Sequence, residues 1–142
     1  MTTTPLKPTV EDFNRRARGH FPEYLGIVAT EIGDRAMTMQ LPIRPELLAP
    51  NNYLHAGAVV TLADTAAGYG CLAHLPEGAE SFTTIELKSN FLGTARAGLL
   101  LCTARGVHLG RTTQIWDATV THEETAKPIA LFRCTQLILW PK

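Results

Sequence analysis

One carboxylate lies in the middle of a long apolar stretch of this chain. Asp64 stands within residues 57–73, a run of apolar and small side chains that leaves no polar face. A helix that is apolar all round is a buried helix, and an unpaired carboxylate in an apolar interior is costly. Such a group is usually paired, neutral or functional, so Asp64 is the residue most expected to do chemistry.

The start of the same helix supplies a second chemical feature. Gly57 lies where the first backbone N–H groups have no partner within the helix, and the helix dipole adds to their attraction for anions. Asp64 follows about two turns later, roughly 11 Å along the axis and on the same face. A carbonyl oxygen held at the helix start, with a carboxylate approaching from the side, is what acyl transfer or hydrolysis requires.

Several motifs around this helix resemble one known family. Residues 55–57 (HAG) and 62–66 (LADTA) are similar to the HGG and LADTA signature of the PaaI-type hotdog-fold acyl-CoA thioesterases, within the 4-hydroxybenzoyl-CoA thioesterase-like superfamily. Residues 84–92 (TIELKSNFL) and 110–112 (GRT) look like the next strand of that family and the opening of a later one. The resemblance covers the chain from about residue 24 to residue 139.

The resemblance implies hydrolysis of an acyl-CoA or aryl-CoA thioester, with Asp64 as the nucleophile or as a general base on water. It places the thioester carbonyl on the backbone N–H groups of Ala56 and Gly57. Ala56 stands where the family usually has glycine, and its N–H keeps this role unless the backbone needs a positive φ. His55 is expected to orient the turn in preference to acting as an acid. Thr84 corresponds to a strand hydroxyl near the carboxylate of the partner subunit, and it is expected to orient the attacking water.

Five further residues are candidates for binding the substrate. Asn51 and Asn52 precede the histidine, at a shorter spacing than the asparagine of the family. Lys88, Arg96 and Arg111 are candidates for contacting the phosphates of coenzyme A. No cofactor is expected, because coenzyme A is part of the substrate, and no metal is expected, because the five histidines show no ligand spacing. The resemblance also implies a homodimer with active sites at the dimer interface, and often a tetramer.

Two other functions remain open at this point. A hotdog acyl-CoA hydratase or dehydratase would use His55 and Asp64 together as acid and base, and it would add water to an enoyl-CoA without releasing a thiol. A non-catalytic module that senses acyl-CoA would have a dispensable carboxylate and usually an attached DNA-binding segment. The predicted N-terminal helix is too small for a helix-turn-helix domain.

Length, charge and cysteine content set the broad class. A chain of 142 residues is expected to form one domain, residues 1–142. Thirteen basic and thirteen acidic side chains balance, which argues against a nucleic-acid or membrane-surface partner. No apolar run reaches the roughly 20 residues that span a bilayer, and the N-terminus lacks the apolar core of a signal peptide. Cys71, Cys102 and Cys134 lie in apolar segments and read as reduced core cysteines, so a cytoplasmic protein is expected.

The order of the remaining elements predicts an α+β fold. Residues 1–8 form a polar tail that is predicted to be poorly ordered, and residues 9–19 form a short helix capped by Thr9 and Asp12. Strands are predicted over residues 25–32, 36–43, 82–92, 98–109, 111–122 and 128–140. No second long helix covers these strands, so the antiparallel sheet must curl around the one helix, which is the hotdog architecture. One sheet face stays uncovered, and this predicts pairing of subunits.

Two glycines interrupt the apolar helix. Gly68 and Gly70 each cost about 1 kcal/mol of helix stability relative to alanine. Such a cost indicates that another group approaches the helix closely. A ligand and the packing of the sheet against the helix explain it equally well.

Overall fold

One antiparallel sheet and one long helix make up most of the computed structural model, which describes residues 7–142. The helices are α1 (Val10–Arg16), α2 (Phe21–Leu25) and α3 (Ala56–Ala73), and Pro45–Leu47 form a short 3-10 turn. The strands are β1 (Val28–Gly33), β2 (Ala36–Pro42), β3 (Ser81–Phe91), β4 (Leu99–Leu109), β5 (Thr113–His122) and β6 (Pro128–Leu139). Their order in the sheet is β1-β2-β4-β5-β6-β3, with every pair antiparallel. The predicted tail falls largely on residues 1–6, which lie outside the described residues.

The predicted architecture, an antiparallel sheet curled around one long helix, is confirmed. Helix α3 packs against all six strands, and its buried residues join the inward side chains of the sheet in a single core. Trp116, Met37 and Met39 are among the largest fully buried side chains of that core. By length and composition alone α3 would be able to cross a membrane, but its packing makes it the core helix of this domain.

The two glycines of α3 are explained by the sheet. A Cβ atom on Gly68 would lie 2.9 Å from the ring of Phe82 on β3. A Cβ atom on Gly70 would lie 2.7 Å from the ring of Trp116 on β5. Both separations are shorter than carbon atoms tolerate, so the close approach of two aromatic rings accounts for both glycines without a ligand.

The N-terminal segment contains one helix that the sequence analysis missed. Helix α1 has the predicted capping box between Thr9 and Asp12. Helix α2 then occupies residues 21–25, so the first strand begins at Val28 and not at residue 25. Pro22 in the first turn and Gly26 at the C-terminal cap, with φ of 87°, mark the ends of α2.

The three cysteines are free and buried, as predicted. Burial raises the pKa of each of the Cys71, Cys102 and Cys134 thiols to about 12. Since the thiolate is the reactive form of cysteine, these side chains act as small apolar residues of the core.

Strand β3 lies at one edge of the sheet and pairs on one side only, with β6. Four large apolar side chains on this strand or directly after it are exposed, namely Ile85, Leu87, Phe91 and Leu92. The register with β6 shifts between Thr84 and Glu86, which makes Ile85 the extra residue of a bulge. A long apolar strand edge of this kind is a surface that another strand can extend.

Candidate active site

His55 closes the start of α3 with its own side chain. Its Nδ1 atom accepts a hydrogen bond of 2.8 Å from the backbone N–H of Gly57. Gly57 makes room for the ring, because a Cβ atom there would lie 2.9 Å from Nδ1. His55 therefore caps the start of the helix with its side chain, and its orienting role in the reaction stays a prediction.

Ala56 is the first residue of α3 and presents the free donor of this turn. Its backbone N–H has no hydrogen-bond partner among residues 7–142, whereas the N–H of Gly57 is occupied by His55. The φ angle of Ala56 is not in the left-handed region, so the methyl group costs no backbone strain. Of the two donors predicted for a carbonyl oxygen, Ala56 is therefore the one that is available.

An open cleft of about 490 Å³ lies against this helix start. Its polar lining includes Asn51 and His55, and its apolar lining includes Ala56, Val59 and Phe91. The full lining comprises Ala49, Asn51, Tyr53, Leu54, His55, Ala56, Val59, Phe91, Gly93, Thr94 and Ile129. An apolar cleft with a few convergent polar groups is the usual form of a small-molecule site.

The two asparagines before the helix have different positions. Asn51 lines the cleft, and its Oδ1 atom accepts a 3.1 Å hydrogen bond from the N–H of Tyr53. Asn52 does not line the cleft and has a φ of 68°, a left-handed conformation that asparagine tolerates better than most residues. Asn52 thus shapes the turn, and Asn51 is the asparagine placed to meet a ligand.

Asp64 lies two turns further along α3, on the flank of the helix that faces β3. Gly68, one turn beyond it on the same flank, is the residue that contacts Phe82 of β3. The Oδ1 atom of Asp64 is buried and has no hydrogen-bond partner among the described residues. Burial raises the pKa of this carboxyl group above its ordinary value of 3.8, since no nearby donor stabilises the charge. A partly desolvated carboxylate of this kind is a stronger base and a more reactive nucleophile than one in water.

Thr84 is hydrogen-bonded to Gln136, a buried polar residue that was not among the predicted site residues. Its hydroxyl donates a 2.7 Å hydrogen bond to Oε1 of Gln136, directly opposite on β6. Gln136 is fully buried, and its Nε2 atom has no partner within residues 7–142. The available signal was a glutamine at an inward position of an otherwise apolar alternating strand. Buried donors without partners are rare, so Gln136 marks this part of the inner sheet face as unusual.

One subunit does not bring these groups together. We call His55, Ala56 and the cleft the donor half-site, and we call Asp64, with the flank of α3 that carries it, the carboxylate half-site. Ala56 and Asp64 are eight residues apart on one helix, which separates their Cα atoms by about 12 Å along the axis. Asp64 does not line the cleft. Both groups were predicted to lie beside one carbonyl, and within a single subunit they lie in two separate places.

The three basic candidates also lie apart from one another. Lys88 is on the outer face of the sheet, in a depression of about 260 Å³ that also holds Asp117 and Arg133. Arg111 lies in the β4–β5 turn, with its guanidinium 4.5 Å from the ring centre of Trp140. Arg96 alone is beside the cleft, with its guanidinium 4.2 Å from the ring centre of Tyr53.

Comparison with known proteins places the chain in a family. The model of the thioesterase superfamily matches residues 51–129, more than half of the chain. The 1,4-dihydroxy-2-naphthoyl-CoA hydrolase of Listeria monocytogenes is 34% identical over 113 residues, which cover 80% of this chain and 90% of that protein. A crystal structure of a mutant thioesterase PA1618 from Pseudomonas aeruginosa superimposes with a TM-score of 0.89 at 27% identity, covering 95% and 96% of the two chains. The structure of the Escherichia coli PaaI protein from the phenylacetic acid degradation operon gives a TM-score of 0.76 at 25% identity, with 83% of each chain covered. The chain therefore belongs to the thioesterase superfamily and has its hotdog fold.

Proposed function

We propose that this protein hydrolyses an acyl-CoA or aryl-CoA thioester to the free acid and coenzyme A. The observation that carries the proposal is the unpartnered N–H of Ala56, a residue that lines an apolar cleft at the start of α3. A thioester carbonyl placed there gains a donor for the negative charge that develops on its oxygen. The cleft walls formed by Leu54, Val59 and Ile129 suit an apolar acyl or aryl group.

Asp64 drives the chemical step in one of two ways. As nucleophile, its carboxylate oxygen bonds to the carbonyl carbon, the carbon–sulfur bond breaks, and coenzyme A leaves as a thiolate that takes up a proton. Water then hydrolyses the resulting mixed anhydride to the acid and restores Asp64. As general base, Asp64 takes a proton from water while the water oxygen bonds to the same carbon. The carbon–sulfur bond then breaks, and coenzyme A leaves as a thiolate that takes up the proton held by Asp64. Either route balances without a metal or a cofactor.

The complete site is proposed to form between two subunits. Pairing of two β3 edges about a two-fold axis would be antiparallel, so the Ser81 end of one strand would lie beside the Phe91 end of the other. Phe91 lines the cleft of the donor half-site. Phe82, which packs against Gly68 on the flank of α3 that carries Asp64, lies at the Ser81 end of β3. Each carboxylate half-site would then face the donor half-site of the partner subunit, which resolves their separation within one chain.

We therefore expect the protein to sediment as a dimer or larger homo-oligomer. Leu87→Asp should give a folded 15.5 kDa monomer, because two carboxylates at a paired apolar edge repel each other and lose solvation. Thiol release should disappear together with the dimer. Val107→Asp, a change of the same kind at an exposed position on β4, serves as the control and should remain associated. A wild-type protein that sediments as a compact monomer at working concentration would rule out the shared site.

Release of free thiol tests the reaction itself. A panel of acyl-CoA and aryl-CoA thioesters, including 1,4-dihydroxy-2-naphthoyl-CoA, should contain at least one substrate whose thiol is released in proportion to enzyme. Loss of an enoyl-CoA by water addition, with no free thiol, would indicate a hydratase instead. Saturable binding of these compounds without any turnover would indicate a sensor module.

A further inference from the structure

The second edge of the sheet is closed by a side chain. Strand β1 forms this edge and, within residues 7–142, pairs with β2 alone. The N–H of Ala29 on β1 donates a 2.8 Å hydrogen bond to Oδ1 of Asn14. Nδ2 of Asn14 in turn donates a 3.0 Å hydrogen bond to the carbonyl oxygen of Ala29. We call this pair of hydrogen bonds the Asn14 clamp.

The clamp takes the place of a neighbouring strand. The side-chain amide of Asn14 combines an N–H donor with a carbonyl acceptor, as a backbone peptide does. The N–H and C=O of one strand residue point to the same side, and an antiparallel partner strand exchanges hydrogen bonds with both of them. Because Asn14 already occupies both groups of Ala29, a further strand cannot pair with β1 at this residue while the clamp is closed.

Helix α1 holds Asn14 against the strand by apolar packing. Phe13, next to Asn14, is buried, and so is Ala17, one turn further along the chain. The ring of Phe13 stacks on the ring of Tyr69 of α3, with 4.9 Å between the ring centres. The position of Asn14 is therefore set by contacts of α1 with the core as well as by its own two hydrogen bonds.

The two edges of the sheet differ in this respect. The edge of β3 has exposed apolar side chains, and two such edges that pair about a two-fold axis give a closed dimer. That dimer would still have two β1 edges. If both were open, dimers would pair in turn through β1, and the sheet would extend from one dimer to the next.

We propose that Asn14 closes the β1 edge against strand pairing with a second copy of this chain, and so limits self-association to the β3 edge. Without the clamp, the β1 strands of two copies pair antiparallel about a two-fold axis. The inference rests on the β3 pairing proposed above and not on the thioester reaction. Its readouts are molecular mass and amide exchange, so it is tested separately from hydrolysis.

Asn14→Ala removes both hydrogen bonds of the clamp. Sedimentation should show species of at least about twice the wild-type mass, in a proportion that grows with concentration. Asn14→Ser retains a polar side chain that is too short to bond both backbone groups, and it should give the same species. Glu11→Ala, at an exposed position of the same helix, is the control and should keep the wild-type mass.

A charge on the β1 edge identifies the surface that pairs. Val28 is an exposed residue of β1, and lysine on an edge strand opposes strand pairing. The double variant Asn14→Ala/Val28→Lys should therefore return to the wild-type mass. In this non-associating protein, hydrogen exchange at the Ala29 N–H should be at least about tenfold faster than in wild type, because the bond to Asn14 is gone.

The outcomes separate this inference from the β3 pairing. Folded Asn14→Ala and Asn14→Ser proteins of wild-type mass would overturn the role of Asn14, whether or not exchange at Ala29 has changed. Larger species that persist after Val28→Lys would also overturn it, because association would then use another surface. A monomeric wild type would reject the β3 pairing, and a gain in mass on removal of the clamp would still support closure of the β1 edge by Asn14.

Discussion

Asp64→Asn is expected to lower kcat for the best thioester by at least about a hundredfold while the fold and the proposed dimer persist. General bases typically contribute 10²–10⁴-fold, and an amide serves neither as base nor as carboxylate nucleophile. Asparagine is nearly isosteric, and the Oδ1 atom of Asp64 has no hydrogen bond that the change would break. The change in KM should be smaller, because the donor half-site remains intact.

A matched control and a titration strengthen this test. Asp34→Asn removes an exposed carboxylate from the β1–β2 turn and should leave turnover unchanged. Because burial raises the pKa of Asp64, the acidic limb of kcat/KM should lie above pH 3.8. A folded, oligomeric Asp64→Asn variant that hydrolyses its best thioester at the wild-type rate would show that Asp64 is not the catalytic carboxylate.

The same raised pKa has a consequence for stability. The folded state holds the Asp64 proton more tightly than the unfolded chain, so this group makes the free energy of unfolding fall as pH rises from 3.8 through the raised pKa. Asparagine at position 64 carries no such proton. The Asn variant should therefore be at least as stable as wild type at neutral pH, and thermal melting at pH 4 and pH 7 measures the difference. We therefore expect Asp64 to lower the free energy of unfolding at neutral pH, as desolvated active-site groups often do.

The main elements were predictable because their signals are strong and local. Residues 57–73 are apolar for a full helix length and contain one acidic side chain, so their burial follows from composition alone. The long strands after Gly78 show alternation, and their ends differ from prediction by at most two residues. Helix α2 was missed because residues 20–24 were assigned to no element and Leu25 was assigned to the first strand, although Pro22 and Gly26 were signals for a short helix.

The details of the site were less predictable because they depend on contacts distant in sequence. Histidine is not a preferred N-cap residue, so the bond from the Gly57 N–H to His55 had no strong sequence signal. The pairing of Thr84 with Gln136 joins residues that are 52 positions apart, and it follows only from the register of β3 against β6. The distance between Ala56 and Asp64 was calculable from helical rise. The hypothesis that two subunits share one site depended also on the position of β3 at the edge of the sheet.

Ala56→Pro is expected to reduce kcat by about 10²–10³-fold, because it removes the backbone N–H that would hold the carbonyl oxygen. The structure favours survival of the fold. Ala56 is the first helical residue, a position where proline is well tolerated, and its N–H makes no hydrogen bond within residues 7–142. The preceding residue, His55, has φ of −66° and ψ of 132°, which is the extended conformation that a following proline demands.

Ala56→Gly is the matched control for this variant. It keeps the N–H and removes only the methyl group, so its kcat should stay within a few-fold of wild type. Melting temperature and sedimentation must agree among the three proteins before their rates are compared. A folded, dimeric Ala56→Pro enzyme with near-normal kcat would mean that another group holds the carbonyl oxygen. The N–H of Gly57 would first have to leave the Nδ1 atom of His55, and His55→Ala, which frees that donor, would then be expected to raise kcat in the proline variant.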